Sequence, residues 1–324
     1  MLDSYGRKIE YLRLSITDLC NLRCKYCMGE DGVCKKDHRH ILTIEELTLI
    51  AQVFHQKGVK KLRVTGGEPL VRKGFDTLVR NLGEIGFDTL ARNLGEIGFD
   101  TLAVTTNGVL LPRYANTLRE SGFSRVNVSL DSLDKDVYHD VTRGGNLEDA
   151  LNGIDTALKA GFDKVKVNAV LMKGANDDSI YDFALFGAEK GVEVRFIELM
   201  PFEASYSYAK DKFISCDTLV SKHNLTLVGT DGNCRTYAFP DGLKIGFIAP
   251  KSHKFCSQCN RVRVTADGKM LNCLHENKEY DLTNYLSDED ALSRRIDEVV
   301  KEKPLCHAMY ETDAQTRPMG NIGG

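Results

Sequence analysis

The sequence predicts an α/β protein: a partial (β/α)6 barrel of the TIM type, followed by an α+β extension. Two observations carry that prediction. Short β-rich runs alternate with helical segments as far as Met200-Pro201, and glycines stand where four of the helices should end. Beyond that point the alternation stops and turn signals take over, at Asp231-Gly232, Asp241-Gly242 and Asp267-Gly268. A chain of 324 residues can form one large barrel or two modest domains. We therefore expect the barrel over 1–200 and the extension over 201–324.

In chain order, strands are expected at Tyr11–Ile16, Lys60–Thr65, Thr101–Thr105, Arg125–Leu130, Lys164–Leu171 and Glu193–Leu199. Helices are expected between them at Thr43–Lys57, Lys73–Ile85, Pro112–Ser121, Leu147–Ala160 and Asp178–Lys190. Thr43 suits an N-cap, and Glu46 three residues on completes a capping box. Gly58, Gly122, Gly161 and Gly191 follow four of these helices, at the position where a left-handed residue closes a helix. Six such units suit a barrel or partial barrel better than a doubly wound sheet.

One segment breaks the pattern. Phe75–Gly86 is repeated almost perfectly as Phe87–Gly98, and Phe99 begins a third copy. Two copies are too few for a solenoid. The apolar stripe of the first copy is Phe75, Leu78, Val79, Leu82 and Ile85. Twelve residues turn an ideal helix about 120° past whole turns, so a continuous helix would aim the second stripe away from the core. We expect a break near Gly86 and one displaced copy, a tandem duplication that could shift the next strand and misplace Thr105.

Composition excludes several classes. Hydrophobic residues make up 42% and charged residues 27%, as in an ordinary globular protein. A net charge of −3 gives no global pull toward nucleic acid, so an anionic ligand would need a local basic pocket. No apolar run is long enough for a membrane span, and no secretory leader is visible at the N-terminus. Ten cysteines without such a leader point to metal or redox chemistry in a reducing, cytoplasmic setting.

The cysteines fall into two sets. Cys20, Cys24 and Cys27 have the spacing C-x3-C-x2-C. Three thiolates would leave one iron of a four-iron cluster free for another ligand. Structural zinc would instead need a distant fourth ligand. Cys256, Cys259 and Cys273 form a second triplet, C-x2-C-x13-C. There zinc competes seriously, because His275 could complete a Cys3His site. Cys34, Cys216, Cys234 and Cys306 fall outside both sets and read as structural or incidental.

Cations recur at strand spacing. Arg261 and Arg263 share one face at period two, as do Lys61 with Arg63, and Lys164 with Lys166 and Asn168. Apolar residues intervene, the mark of strands with an inward polar face. Arginine forks suit phosphate.

The first triplet, with Tyr26 between its last two cysteines and Thr65-Gly-Gly-Glu-Pro69 at the end of the second strand, resembles the radical S-adenosylmethionine superfamily. The second triplet, its Asn260-Arg-Val-Arg263 run and the terminal Gly323-Gly324 are similar to the branch that cyclises GTP in molybdenum-cofactor biosynthesis. The resemblance runs from about Leu12 to Gly324, interrupted only by the duplicated segment. It implies two [4Fe-4S] clusters and S-adenosylmethionine as cofactors. Cleavage of S-adenosylmethionine at the first cluster would yield a 5′-deoxyadenosyl radical, which takes hydrogen from C3′ of GTP before C3′ attacks C8.

The same resemblance assigns Tyr26, Gly67, Ser129 and Met200 to S-adenosylmethionine. It assigns Arg13, Lys61, Arg63, Thr105, Lys166, Arg195, Arg261, Val262 and Arg263 to GTP, with Arg261 and Arg263 also the candidate catalytic pair. Gly66 and Gly67 would let the backbone approach the cofactor closely. The terminal segment would reach into the active site. An electron-donor protein and a homodimer are further implied partners. The alternatives are a radical enzyme that modifies peptides and carries an auxiliary cluster, or a non-enzymatic zinc scaffold or electron carrier.

Overall fold

Strand β1 (Tyr11–Ser15) shows how the chain divides its side chains. Leu12 and Leu14 are fully buried in the main apolar core beside Leu47 and Ile50, while Tyr11 and Arg13 occupy the alternate positions on the opposite face. Helices therefore cover one side of the sheet, and polar residues line the other. A computed structural model describes residues 1–32, 40–85, 99–307 and 316–322. The duplicated Phe87–Gly98, Cys34 and Gly323-Gly324 lie outside these described residues.

Six strands pair side by side in chain order, all parallel: β1, β2 (Lys61–Thr65), β3 (Thr101–Thr106), β4 (Phe123–Ser129), β5 (Lys164–Leu171) and β6 (Glu193–Glu198). The sheet does not close between β1 and β6. It is the partial barrel that the alternation predicts. Both free edges are taken by the C-terminal region instead. Strands β7 (Thr226–Asp231), β8 (Cys234–Ala238) and β9 (Lys244–Ile248) add beyond β6, with β9 parallel to it. Strands β10 (Arg261–Val264), β11 (Lys269–Leu271) and β12 (Tyr280–Asp281) add beyond β1, with β10 parallel to it. The extension thus continues the barrel's own sheet at both ends.

The helices are α1 (Ile44–Gln56), α2 (Phe75–Glu84), α3 (Leu111–Glu120), α4 (Lys135–Thr142), α5 (Leu147–Lys159), α6 (Ile180–Lys190), α7 (Tyr206–Lys212), α8 (Cys216–Lys222) and α9 (Glu289–Lys301). The capping box of α1 forms as expected: Glu46 N–H donates to Thr43 Oγ1 at 3.2 Å, and Thr43 N–H donates to Glu46 Oε2 at 2.7 Å. Such a cap contributes about 1 kcal/mol. Gly191 closes α6 at φ 68°, and the other three expected glycines share its positive φ. Helix α4 was not anticipated, because only Tyr138, Val141 and Thr142 of its eight residues are buried. Asp134 caps it, accepting from Asp136 N–H at 2.8 Å and Val137 N–H at 3.0 Å.

The first copy of the repeated segment forms α2, with Phe75, Leu78, Val79 and Leu82 buried as its stripe requires. Strand β3 follows in register with β2, and Thr105 sits at the mouth of the barrel. The expected displacement of Thr105 does not occur. The strand keeps its place because Leu102 and Val104 are fixed in the core.

Candidate active site

Two cysteine sets stand at opposite ends of the strands. Cys20, Cys24 and Cys27 follow β1, at the C-terminal end of the parallel strands where α/β barrels carry their chemistry. Cys256 and Cys259 precede β10, and Cys273 follows β11, which runs antiparallel to β10. The second set therefore lies at the other end, and a rise of roughly 3.3 Å per residue along β1 separates the two by about 15 Å.

The first loop is held by backbone contacts. Gly67 N–H donates to Thr17 O at 2.8 Å and Glu68 N–H to Leu19 O at 2.8 Å, so the Gly-Gly-Glu strip pairs with the cysteine loop. A Cβ on Gly67 would lie 2.5 Å from Leu19 O, and one on Gly66 2.6 Å from Thr17 O. The structure gives the two glycines a packing reason of their own. They are required for strip-against-loop packing, whatever else approaches them. Glu68 turns away and staples the next strand, accepting from Thr106 Oγ1 at 2.8 Å and Asn107 N–H at 2.6 Å. Burial pushes its carboxyl up to about 7 despite these donors.

Helix α4 anchors the loop's other side. Arg23 N–H donates to Thr142 O at 3.1 Å and Lys25 N–H to Val141 O at 2.9 Å, and Arg143 reaches back to Arg23 O and Met28 O, both at 2.9 Å. Between the two anchors opens a cleft of about 640 Å³, continuous with solvent. All three cysteines line it, with Tyr26, Gly67, Thr105 and Ser129. Tyr26 is fixed by its hydroxyl, which donates to Asp131 Oδ2 at 2.8 Å. Burial raises Asp131 to about 6 and the Cys27 thiol to about 12. The motif Thr65-Gly-Gly-Glu-Pro69 contained Glu68 without giving it a role, while α4 and Asp131 escaped sequence reasoning because neither lies inside a spaced motif.

Below the cleft the barrel interior is cationic. Register places Arg263, Arg13 and Arg63 side by side on β10, β1 and β2, with Arg261 beside Tyr11 one row lower. Lys166 shares a row with Asn127, and Arg195 with Asn168 and Ser129. Gly246 makes room for Arg195, since a Cβ there would lie 3.0 Å from its Cγ. Burial and the neighbouring Arg261 bring Arg263 down to about 10, and burial with Arg263 depresses Arg13 strongly. Burial alone would raise the Tyr11 phenol, but Arg63, Arg13 and Arg261 outweigh it and pull it down to about 7. Lys166 falls to about 8 through burial and Arg195. Glu193 and Asp231 are the carboxylates paired with Lys166 and Arg195, Asp231 at 3.5 and 3.2 Å.

Not every expected residue joins this chamber. The Val262 side chain is fully buried in the core, because period two sends it to the face opposite Arg261 and Arg263. Lys61 is exposed at the start of β2, outside the buried rows. Met200 does not line the cleft; it packs with Phe202, Leu271, Ile322 and Met319. Met319 does line it, so Met200 backs the cleft wall through that neighbour.

The segment Met319–Ile322 joins the two levels. A Cβ on Gly320 would lie 3.4 Å from Gly67 Cα and 3.9 Å from Cys27 Sγ, and Ile322 O accepts from Arg263 at 3.2 Å. Arg317 anchors it through Asp267 at 3.0 and 3.1 Å and through Glu279.

The second cysteine set is assembled from distant segments. Cys256 begins a single turn that returns Cys259 N–H to Cys256 O at 3.1 Å. His275 N–H points at Cys273 Sγ, 3.5 Å away. The His275 ring lies 4.4 Å from that of His307, and burial with that neighbour lowers it to about 3.

An open parallel barrel with a thiol-lined cleft at its strand ends and a cationic interior has the form of an α/β-barrel enzyme. Residues 14–187 match the Radical SAM superfamily, and residues 192–309 match Molybdenum Cofactor Synthesis C. The chain is 42% identical over 332 residues to the GTP 3′,8-cyclase of Alkaliphilus oremlandii (strain OhILAs), covering all of both chains. It is also 42% identical over 330 residues, again with full coverage of both, to that of Clostridium botulinum (strain Okra / Type B1). Among solved structures it is similar to Streptococcus suis SuiB bound to S-adenosylmethionine, at TM-score 0.62 and 15% identity over 90% of this chain and 67% of that one. The chain belongs to the GTP 3′,8-cyclase family within the radical SAM superfamily.

Membership implies a [4Fe-4S] cluster and S-adenosylmethionine. The upper cleft suits both: its donor set is three thiols, and the buried Thr65 Oγ1 on its wall lacks a hydrogen-bond partner among the described residues. Among the described residues no helix is long and apolar enough to cross a membrane.

Proposed function

We propose that this chain is a GTP 3′,8-cyclase, which joins ribose C3′ to guanine C8 in the first step of molybdenum-cofactor synthesis. The observation that carries this is the row of buried Arg263 and Arg63 with half-buried Arg13 between them, together with buried Lys166 and Arg195, lying between the two cysteine sets. Desolvated guanidiniums that repel one another need an anion of several charges. A triphosphate supplies it, and its nucleoside can then span the distance between the ends.

Cys20, Cys24 and Cys27 would hold the cluster that, with S-adenosylmethionine, supplies the 5′-deoxyadenosyl radical. Tyr26, Gly67 and Ser129 would seat S-adenosylmethionine, with Met200 supporting the wall behind Met319. Arg13, Arg63, Thr105, Lys166 and Arg195 would grip the triphosphate, with Lys61 contributing from the rim. Thr105 already accepts from Arg63 at 3.2 Å. Arg261 and Arg263 would position the nucleotide for ring closure, Arg261 stacking its guanidinium over Tyr11 and Phe255. Val262 could contribute only backbone. Cys256, Cys259 and Cys273 would hold a second [4Fe-4S] cluster whose remaining iron takes the purine. Three thiols with an N–H aimed at one sulfur suit that group.

The test is anaerobic incubation of the cluster-loaded chain with GTP, S-adenosylmethionine and a strong reductant. GTP-dependent 5′-deoxyadenosine is expected, with deuterium from GTP labelled at C3′ appearing in it. Its absence would refute the assignment. Iron analysis should find about eight irons per chain; four, or stoichiometric zinc, rules out the second cluster.

A further inference from the structure

Cys306 stands outside both triplets, yet the fold brings it to the second one. Leu305, the residue before it, shares the Arg7 guanidinium with Cys256, and the Cys306 thiol donates to His307 O at 3.6 Å. The approach is built by two buried cations and an exposed lysine. Arg7, paired with Asp3 at 2.6 Å, sends one nitrogen to both Cys256 O at 2.7 Å and Leu305 O at 3.1 Å, and another to Pro304 O at 2.6 Å. Lys303, only 2% exposed, donates to Arg261 O at 2.8 Å and Asn272 O at 2.5 Å, next to Cys273. Lys254 Nζ donates to His307 O at 3.3 Å. The Lys303–His307 segment is thus tied to both pieces of chain that carry the triplet. The Cys306 residue itself stays exposed to solvent.

Resting on the second triplet as an iron–sulfur site, we propose that Cys306 is its fourth thiol, ligating the remaining iron while no nucleotide is bound and yielding that iron to the purine. Ligation is an exchange without change of oxidation state. The thiol gives its proton to solvent as the S–Fe bond forms, and takes a proton back when the purine nitrogen replaces it. Thiolate is a preferred ligand for such iron. A segment held by side-chain staples on both sides, but with an exposed tip, can move the short distance that such an exchange needs. An iron otherwise open to water and oxidant would be covered between turnovers.

The test uses the full chain, loaded anaerobically, given a short pulse of iodoacetamide, quenched in acid and mapped by peptide mass spectrometry. Cys306 should be alkylated at least tenfold more slowly in the loaded, GTP-free chain than in the cluster-free chain. Saturating GTP should restore the fast rate. Fast alkylation in the loaded, GTP-free chain overturns the proposal. In parallel, mild ferricyanide treatment of the GTP-free Cys306→Ala chain should produce a three-iron cluster signal by electron paramagnetic resonance, and the parent chain should resist. Equal signals overturn the proposal. Protection that GTP does not release supports ligation by Cys306 and counts against the purine-binding role of the site. With the iron freed, Cys306→Ala should bind GTP about tenfold more tightly if the thiol occupies nine-tenths of resting molecules.

Discussion

The two cysteine sets stand at opposite ends of one barrel, and they are held in different ways. The first is local: three cysteines between residues 20 and 27, locked by a two-bond backbone ladder to Gly67 and Glu68 and by the end of α4. The second is assembled from a turn at Cys256, a strand end at Cys273 and a distant segment at Lys303–His307, joined by the side chains of Arg7, Lys303 and Lys254. Backbone contact tolerates almost no added volume, whereas side-chain staples depend on charge and its pairing. The two sites should therefore fail to different substitutions.

The largest effect is expected at the first site. Gly67→Ala places a methyl 2.5 Å from Leu19 O, against backbone that cannot give way. S-adenosylmethionine cleavage should vanish while the iron of the second site remains, as read by iron content and 5′-deoxyadenosine. Loss of both sites would break the distinction. Arg7→Ala should do the converse. It leaves Asp3 buried and unpaired, a loss of about 3–5 kcal/mol. The second site's iron should fall out and the melting temperature drop, with iron retained at Cys20, Cys24 and Cys27.

Between the ends, Arg263→Ala should weaken GTP binding by about 10- to 150-fold, the worth of one charge-assisted hydrogen bond at 1.5–3 kcal/mol. Equilibrium dialysis would show it; an unchanged Kd would remove the chamber from substrate binding. A smaller, pH-dependent effect is expected at Tyr11, whose phenol the guanidiniums hold near 7. Below that pH the phenol is neutral and offsets none of the guanidinium charge beside it. As pH rises through 7 the phenolate neutralises one guanidinium, so Kd should rise by up to about tenfold from pH 7 to 8. Tyr11→Phe should flatten that rise; an identical pH profile in the variant would show that Tyr11 does not couple to the nucleotide. Removal of Phe87–Gly98 should change least, leaving turnover equal or improved, since Thr105 already sits in register with Asn127 beside the cleft.

Legibility followed the same divide. The β1–β6 alternation, the capping box of Thr43 and Glu46, and the first triplet were readable because each is a short-range pattern with its own physics. Period two also placed Arg261 and Arg263 on one face, although it argued against Val262, which resemblance had included. What could not be read were contacts between distant segments. Nothing near Cys306 signals its neighbour Cys256, because Arg7 does the joining from the other end of the chain. Helix α4 was missed for a related reason: its few buried side chains give a weak stripe, and its importance lies in the carbonyls of Val141 and Thr142 that receive the cysteine loop.

The pairing of β1 with both β2 and β10 has a consequence in time. During synthesis β1 finds β2 early, but its other edge waits for Arg261–Val264, near the end of the chain. Through most of translation an unfinished sheet carries a bare, Arg-bearing edge, and pairing across so long a separation is slow. Arg13 on that edge is the chain's own guard, since charge on an open strand discourages pairing with a stranger. The residue that would later meet a phosphate first keeps the nascent molecule apart from its neighbours.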